Sequence, residues 1–320
     1  MGLNANGLRH VLRAARSGAD LTSVGTIGRQ GVHINRALLR QIVQDEFGLA
    51  IPCDALDAAH ATGFVDALFG LLGAREVVSY DASDYEDATV VHDFNTPLPP
   101  SFDQRHTFVF DGGSLEHIFH FSVALHNAMR LVKVGGTYLG ASGANNQVGH
   151  GFYQISPEVY FRAFSGENGF KVSEIFLIEG REARPWLLVR DPAGVGRRTS
   201  IATGRELILH VLAERVDDRP IFACPPQQSD YVHAWNVKAR HHDGRGGMPA
   251  STTSRRIAKM IPSFAKPAVR GMRRRLAAMA ERFQEVFLRA AFDGDALVVI
   301  DPVDSVMTGG GRSGDAGVGS

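Results

Sequence analysis

The chain has 320 residues, 44% of them hydrophobic and 21% charged. That is enough for one large α/β domain with an appendage, and too apolar for wholesale disorder. Its 34 Lys and Arg balance its 34 Asp and Glu, which excludes the global polybasic surface that favours non-specific nucleic-acid binding. Cys53 and Cys224 form no CxxC pair, which fits a reducing compartment. No apolar run reaches the ~18 residues of a membrane span, and no secretory leader is legible, so a cytoplasmic protein is expected.

Leu8, Val11 and Leu12 recur at helical spacing among basic residues, so residues 1–19 are read as an N-terminal segment carrying an amphipathic helix over 7–16. Leu21–Gly28, a β-branched run closed by glycine, reads as a buried strand running into a turn. Helical spacing returns over 35–47 and again over 57–72. Three short apolar runs follow, 76–80, 88–92 and 107–110, and each meets an aspartate within a residue or so: Asp81, Asp93 and Asp111. A helix over 119–132 leads through Lys133-Val134-Gly135-Gly136 into a strand at 137–139. Another helix, 157–164, precedes strands near 174–178, 186–189 and 207–212. Strands separated by helices predict a mostly parallel sheet covered on both faces. Residues 81–107 hold no crossover helix, so that connection is expected to be a short turn or loop.

Beyond about Lys238 the composition changes. Residues 255–289 hold ten Lys and Arg against Glu281 and Glu285, a local net charge of +8 that leaves the remainder at −8. Pro262 and Pro267 interrupt this stretch. It reads as the solvated face of a helical extension over 237–307, with contact to an anionic membrane surface or a polyanionic substrate as the alternative. Residues 308–320 are Gly-rich and read as a disordered tail.

Acids at the ends of parallel strands are the main chemical clue, because ligands of open α/β sheets lie beyond the carboxyl ends of the strands. Asp81 can accept both hydrogen bonds of a ribose diol, and Asp93 can accept from an exocyclic amine. Equally, Asp often just starts a turn or caps a helix. Val24-Gly25-Thr26-Ile27-Gly28-Arg29-Gln30-Gly31 lets backbone approach a ligand at Gly25 and Gly28. It is not GxGxxG, its distance from Asp81 is far above the ~20 residues of a nicotinamide site, and no Walker lysine follows. In Asp111-Gly112-Gly113-Ser114-Leu115-Glu116-His117 the paired glycines allow a tight turn, which leaves Glu116 and His117 to open the next helix beside the ligand. His117 could take a proton from an acceptor; a helix-start Glu with a packed His is the plain alternative. An HxxEH pattern would need histidine at Gly113, and spacing reveals no third ligand beside His117 and His120, so no metal is expected.

With these residues in view, the chain resembles the class I S-adenosylmethionine-dependent methyltransferases. FVFDGGSLEHI (108–118) resembles their fourth-strand motif and LVKVGG (131–136) the turn before their fifth strand. GHGFYQISPEVYFRAF (149–164), NGF (168–170) and PPQQSDYVHAW (225–235) resemble a bacterial group associated with cell-surface carbohydrate biosynthesis. The resemblance covers about residues 20–236. It implies a Rossmann-like methyltransferase fold and S-adenosylmethionine as cofactor. Gly25 and Gly28 would lie in the cofactor loop, Asp81 on the ribose, Asp93 near the adenine, and Asp111 and Gly112 along the methionine side. Ser23 stands where the family usually carries an acid, Ile27 replaces a glycine, and the long run to Asp81 implies extra helix between the first two strands.

Methyl transfer asks for alignment more than covalent chemistry, so a base matters only for a hydroxyl or protonated amine acceptor. His117 and His150 are the candidates, with Glu116 orienting one of them or holding a substrate hydroxyl. The expected partner is a small-molecule or glycan substrate, a sugar or related envelope precursor, with no nucleic acid; a homodimer is the default assembly. The altered glycine loop favours the other reading, a catalytically inactive methyltransferase-like scaffold in carbohydrate assembly.

Overall fold

The computed structural model describes residues 2–180, 185–196, 198–201, 203–242 and 296–301. The most apolar runs of the sequence build the middle of one nine-stranded sheet. β1 (Gly2–Leu3) stays outside it, pairing in parallel with β3 (Gly31–Val32). α1 (Ala5–Arg16) then leads to β2 (Ser23–Ile27). α2 (Arg36–Arg40) runs straight into a π-helical turn, Gln41–Glu46, and α3 (Cys53–Ala61) and α4 (Val65–Leu71) complete the expected extra helical insertion before β4 (Glu76–Asp81). β5 (Val90–Val91), β6 (His106–Gly112), α5 (Phe121–Leu131), β7 (Val132–Asn145) and α6 (Pro157–Ala163) follow. The chain continues with β8 (Phe170–Glu179), β9 (Trp186–Val189), α7 (Pro192–Val195), β10 (Leu207–Arg215) and α8 (Ser229–His242), and β11 (Leu297–Ile300) is the last element described.

The strand order is β11-β9-β8-β10-β7-β6-β2-β4-β5. β5, β4, β2, β6 and β7 are parallel to one another. β10 runs antiparallel between β7 and β8. The chain therefore starts in the middle, builds outwards through β4 and β5, and returns through β6 and β7, so strand order reverses between β2 and β6. With five parallel strands followed by the reversed β10 and the returning β8, and with β9 and β11 added at that edge, this is the Rossmann-like methyltransferase sheet that the motifs led us to expect. The link from β4 to β6 holds no crossover helix, only β5 and a short turn at Pro100–Phe102, as the sequence suggested.

Both faces are covered, as the buried, near-continuous apolar strands require. α5 and α6 pack on one side, through Leu125, Met129, Tyr160 and Phe161 among others. α1 and the α2–α4 insertion pack on the other, through Leu8, Val11, Ile42, Leu56 and Phe69. α1 departs from the amphipathic reading: residues 5–14 are all buried, basic ones included. Its cations are neutralised by distant acids, since the Arg9 guanidinium donates to both Glu46 oxygens at 2.8 and 3.0 Å and Arg13 donates to Glu174 at 2.9 and 3.0 Å. Buried charges need such partners.

Gly135-Gly136, read as a turn, sits instead inside β7, which begins five residues earlier than expected. There the register with β6 shifts between His106 and Phe108, and Gly135 takes a left-handed φ of 81°. The glycines thus make a bulge. Of the expected extension over 237–307, residues 237–242 continue α8, and β11 pairs antiparallel with β9 as a strand rather than a helix. The arginine-rich 255–289 stretch and the 308–320 tail lie outside the described residues. No helix among the described residues is long and apolar enough to cross a membrane.

Gly25 requires one more correction. It lies inside β2, paired with Val78 and Val109, and not in the loop beyond it. A side chain there would run into the ring of His106, so the glycine makes room for a buried histidine. That ring hydrogen-bonds the Tyr80 hydroxyl at 2.7 Å and the Ser23 hydroxyl at 3.1 Å. Gly25→Ala should therefore lower the free energy of unfolding in urea by about 1–3 kcal/mol, the usual cost of overpacking a core. Burial holds the His106 imidazole down at about 4, from an ordinary 6.5. The unfolded chain takes up this proton first. Its contribution to stability is complete above about pH 6.5 and is lost as pH falls towards 4, by roughly 3 kcal/mol in all. Urea midpoints across this window should fall less steeply for His106→Gln than for the wild type.

Candidate active site

The strand reversal brings the ends of β2 and β6 side by side, and both ends are tied down by side chains. After β2 the chain turns at Gly28, whose φ of 80° favours glycine and whose N–H donates to the Tyr80 carbonyl at 2.7 Å. Gln30 folds back under this turn, fully buried. Its amide nitrogen donates to the Ile27 carbonyl and, at 2.8 Å, to Ser114 Oγ. Asp81, at the end of β4, accepts the Arg29 N–H at 2.9 Å and so braces the same loop.

On the other side, Asp111 ends β6 wholly buried. Its Oδ1 accepts the N–H groups of Ser114 at 2.7 Å and Gly113 at 3.2 Å, and Tyr138 donates to Oδ2 at 3.4 Å. The carboxylate thus winds its own following turn, whose continuation, Leu115–His117, carries Glu116 and His117. Gly112 is required by close approach: any Cβ would meet Gln30 Oε1 and stand 3.0 Å from the Gly2 carbonyl oxygen.

Glu116 is 1% exposed. Its Oε1 accepts the Gly143 N–H at 3.2 Å, and its Oε2 has no hydrogen-bond partner. Burial, then the neighbouring Asp111 charge, pushes its carboxyl well above the usual range, and burial raises Asp111 as well. His150 arrives from the loop after β7, with its Nε2 3.8 Å from Glu116 Oε1. The rings of His117 and His150 meet edge to face with centroids 5.0 Å apart; burial, then His150, lowers the His117 pKa. The three residues singled out for acceptor chemistry, Glu116, His117 and His150, therefore converge. Glu116 and His150 line a cavity of about 550 Å³ together with Gly2, Gly112, Gly113 and Gln147, and His117 stands against His150. A larger cavity, about 680 Å³ between α5 and α6 against Phe222 and Pro225, lies away from these strand ends.

The residues expected on the cofactor divide differently. Gly28, Asp81, Asp111 and Gly112 all gather at the β2–β4–β6 ends. Asp93 is engaged in a turn of its own, accepting both the backbone and side-chain N–H of Asn95, which with burial against it still holds its pKa low. Spacing did not single out Gln30 or Ser114, whose hydrogen bonds close the gap between the two loops. Their only sequence signal was proximity to glycines.

No family model and no curated protein matches the chain. Among solved structures it is similar to the N-methyltransferase NodS from Bradyrhizobium japonicum, at 10% identity and a TM-score of 0.34, with 66% of this chain and 96% of that one covered. It is also similar to a 16S rRNA (adenine(1408)-N(1))-methyltransferase mutant from Catenulisporales acidiphilia, at 13% identity and a TM-score of 0.32, covering 68% and 95%. A third likeness is to the branched-chain polyamine synthase from Thermus thermophilus, solved with N4-aminopropylspermidine and 5'-methylthioadenosine, at 15% identity and a TM-score of 0.34, covering 70% and 61%. At such distance nothing about chemistry follows.

Replacing the Asp111 carboxylate leaves two N–H groups without their acceptor in a buried turn. Asp111→Ala should cost about 1–3 kcal/mol for each orphaned group, measured by urea unfolding, whereas Asp93→Ala, in an exposed turn, should stay within about 0.5 kcal/mol of wild type.

Proposed function

We propose that the protein transfers a methyl group from S-adenosylmethionine to a hydroxyl of a sugar or related envelope precursor. The observation that carries the reading is the convergence of Glu116, His117 and His150 beside a cavity at the ends of β6 and β7, one tight turn from Gly112. Ligands of such sheets bind at the point where strand order reverses.

The donor set there suits the cofactor. Gln30 Oε1 is a buried acceptor without a partner, beside Gly112, placed to take an N–H of the methionine ammonium. Asp81 accepts the Arg29 N–H on one oxygen and a weak 3.4 Å bond from Ser83 on the other, so lone pairs remain for a ribose diol. Gly28 and Gly112 keep side chains off the path between. When bound, S-adenosylmethionine supplies an electrophilic methyl on a cationic sulfur.

The chain's own residues then have three tasks. The strand-end loops hold the donor in place, so that acceptor and methyl meet in line; such alignment supplies much of the acceleration in bimolecular reactions. Buried Glu116, with Asp111 behind it, gives the cavity an acidic, water-poor wall whose ionised form a cationic ligand would favour. His117, whose imidazole burial and then His150 shift towards its neutral form, is the candidate to accept the hydroxyl proton. Support for a sugar comes from the chain flanking the two histidines, where Phe119 and Phe152, each two residues from His117 or His150, are 61% and 65% exposed and pack edge to face at 5.7 Å. Exposed aromatic faces next to polar groups suit an amphipathic ring with hydroxyls on its edge.

One observation favours a second reading. Gln30 and the Gly2 backbone already stand against Gly112, as they would in a methyltransferase-like scaffold that needs no cofactor. Calorimetric titration with S-adenosylmethionine and S-adenosylhomocysteine separates the two. The transferase reading expects saturable binding, weakened about ten- to a hundredfold by Asp81→Ala through the lost charge-assisted hydrogen bonds. Folded protein that binds neither at millimolar ligand would overturn the transferase reading and leave the scaffold one.

A further inference from the structure

We propose that Glu116, His117 and His150 bind a divalent transition-metal ion, zinc or one of similar ligand preference. Their ligand atoms all lie within 4.8 Å of one another. Donors bound at 2.0–2.2 Å around a tetrahedral ion stand roughly 3.4 Å apart, so the cluster is open by about an ångström, and His150, 47% exposed on its side chain, is free to make that adjustment. Two imidazoles and one carboxylate are a set that zinc accepts while keeping a position for water or substrate. Magnesium and calcium prefer all-oxygen shells.

Two further observations separate this cluster from a chance meeting of side chains. The first is Glu116 Oε2. It is buried without a hydrogen-bond partner, while Oε1 is already held by the Gly143 N–H. Oε1 is the oxygen that stands 3.8 Å from His150 Nε2, and a cation held by both carboxylate oxygens there would also satisfy Oε2. The second is that His150 is brought here by the backbone of Glu116 itself. The Glu116 carbonyl accepts the N–H groups of Phe152 at 2.9 Å and Tyr153 at 3.2 Å, and Gly151 is a position where a Cβ would stand 2.8 Å from that same oxygen. The loop bearing the third ligand is therefore latched to the turn bearing the first two, the preorganisation that a metal site needs.

Spacing along the chain pointed away from a metal because His150 lies 33 residues beyond His117 and reaches it only through the β7 connection. Two of the three ligands, Glu116 and His150, line the cavity that also holds Gly112, Gly113 and Gln147, so an open coordination position would be accessible from it. It would take the acceptor hydroxyl oxygen and make its proton more acidic, as a Lewis acid does; with His117 on the ion, that proton would leave to solvent rather than to the imidazole. This last point rests on the methyl-transfer reading, whereas the metal site does not.

The test uses full-length protein stripped with a chelator and shown to be folded. It is titrated with Zn²⁺ and Mg²⁺ by calorimetry and with Co²⁺ by visible absorption. One equivalent of zinc should bind, with cobalt giving the intense d–d bands of a low-coordinate site and magnesium giving no heat. Glu116→Gln and His150→Ala should each weaken zinc by at least about tenfold, and His120→Ala, on the neighbouring helix start, should not. Absence of saturable zinc binding would overturn the proposal, as would binding that both ligand variants leave unchanged. A failed cofactor titration would leave the zinc result standing, so the two readings fail separately.

Discussion

The Asp111 carboxylate, buried at the end of the central strand, is the constraint on which the site depends. It accepts the two N–H groups of the turn that follows and a hydroxyl from Tyr138, and in doing so fixes where Glu116 and His117 emerge. That turn meets the β2 loop through Ser114 and Gln30, and the β7 loop through Glu116, so three loops at the sheet's reversal point share one hydrogen-bonded frame. Placing a carboxylate in such a position is costly unless it is fully bonded, which is why glycine at 112 and 113 and serine at 114 accompany it: the turn must come close enough to present its N–H groups.

The same burial gives the site its electrostatic character. Asp111 and Glu116 lie near one another away from water, and each makes ionisation of the other harder. A cationic ligand relieves that repulsion. This is a property of the local fold and does not depend on which cation arrives. The two ligands proposed, a sulfonium-bearing donor and a divalent metal, both carry positive charge to the same acidic wall, one from the Gly112 side and the other from the His150 side.

Much of the sheet was legible in the sequence because its inner parallel strands are buried on both faces and read as apolar runs, β4 and β6 carrying an acid at or near their ends. The convergence of Glu116 with His117 was legible for the same reason, since the glycine pair after β6 marks a turn. What was not legible depended on long-range packing. Gly25 looks like a loop glycine until His106 is seen against it; Gly135-Gly136 looks like a turn until the register shift of β7 makes it a bulge. Arg9 and Arg13 looked solvated because Glu46 and Glu174, which neutralise them, lie 37 and 161 residues away. His150 could be named as a candidate from its place after a strand, but its pairing with Glu116 runs through backbone bonds that no periodicity records.

The central claim is that the β2 and β6 strand ends are one ligand site. Hydrogen–deuterium exchange with and without S-adenosylhomocysteine tests it most directly, because it reports which backbone segments a ligand orders. The account predicts slowed exchange confined to residues 28–33, 81–83 and 112–118. Unchanged exchange in all three segments, or protection confined to the groove between α5 and α6, would contradict it.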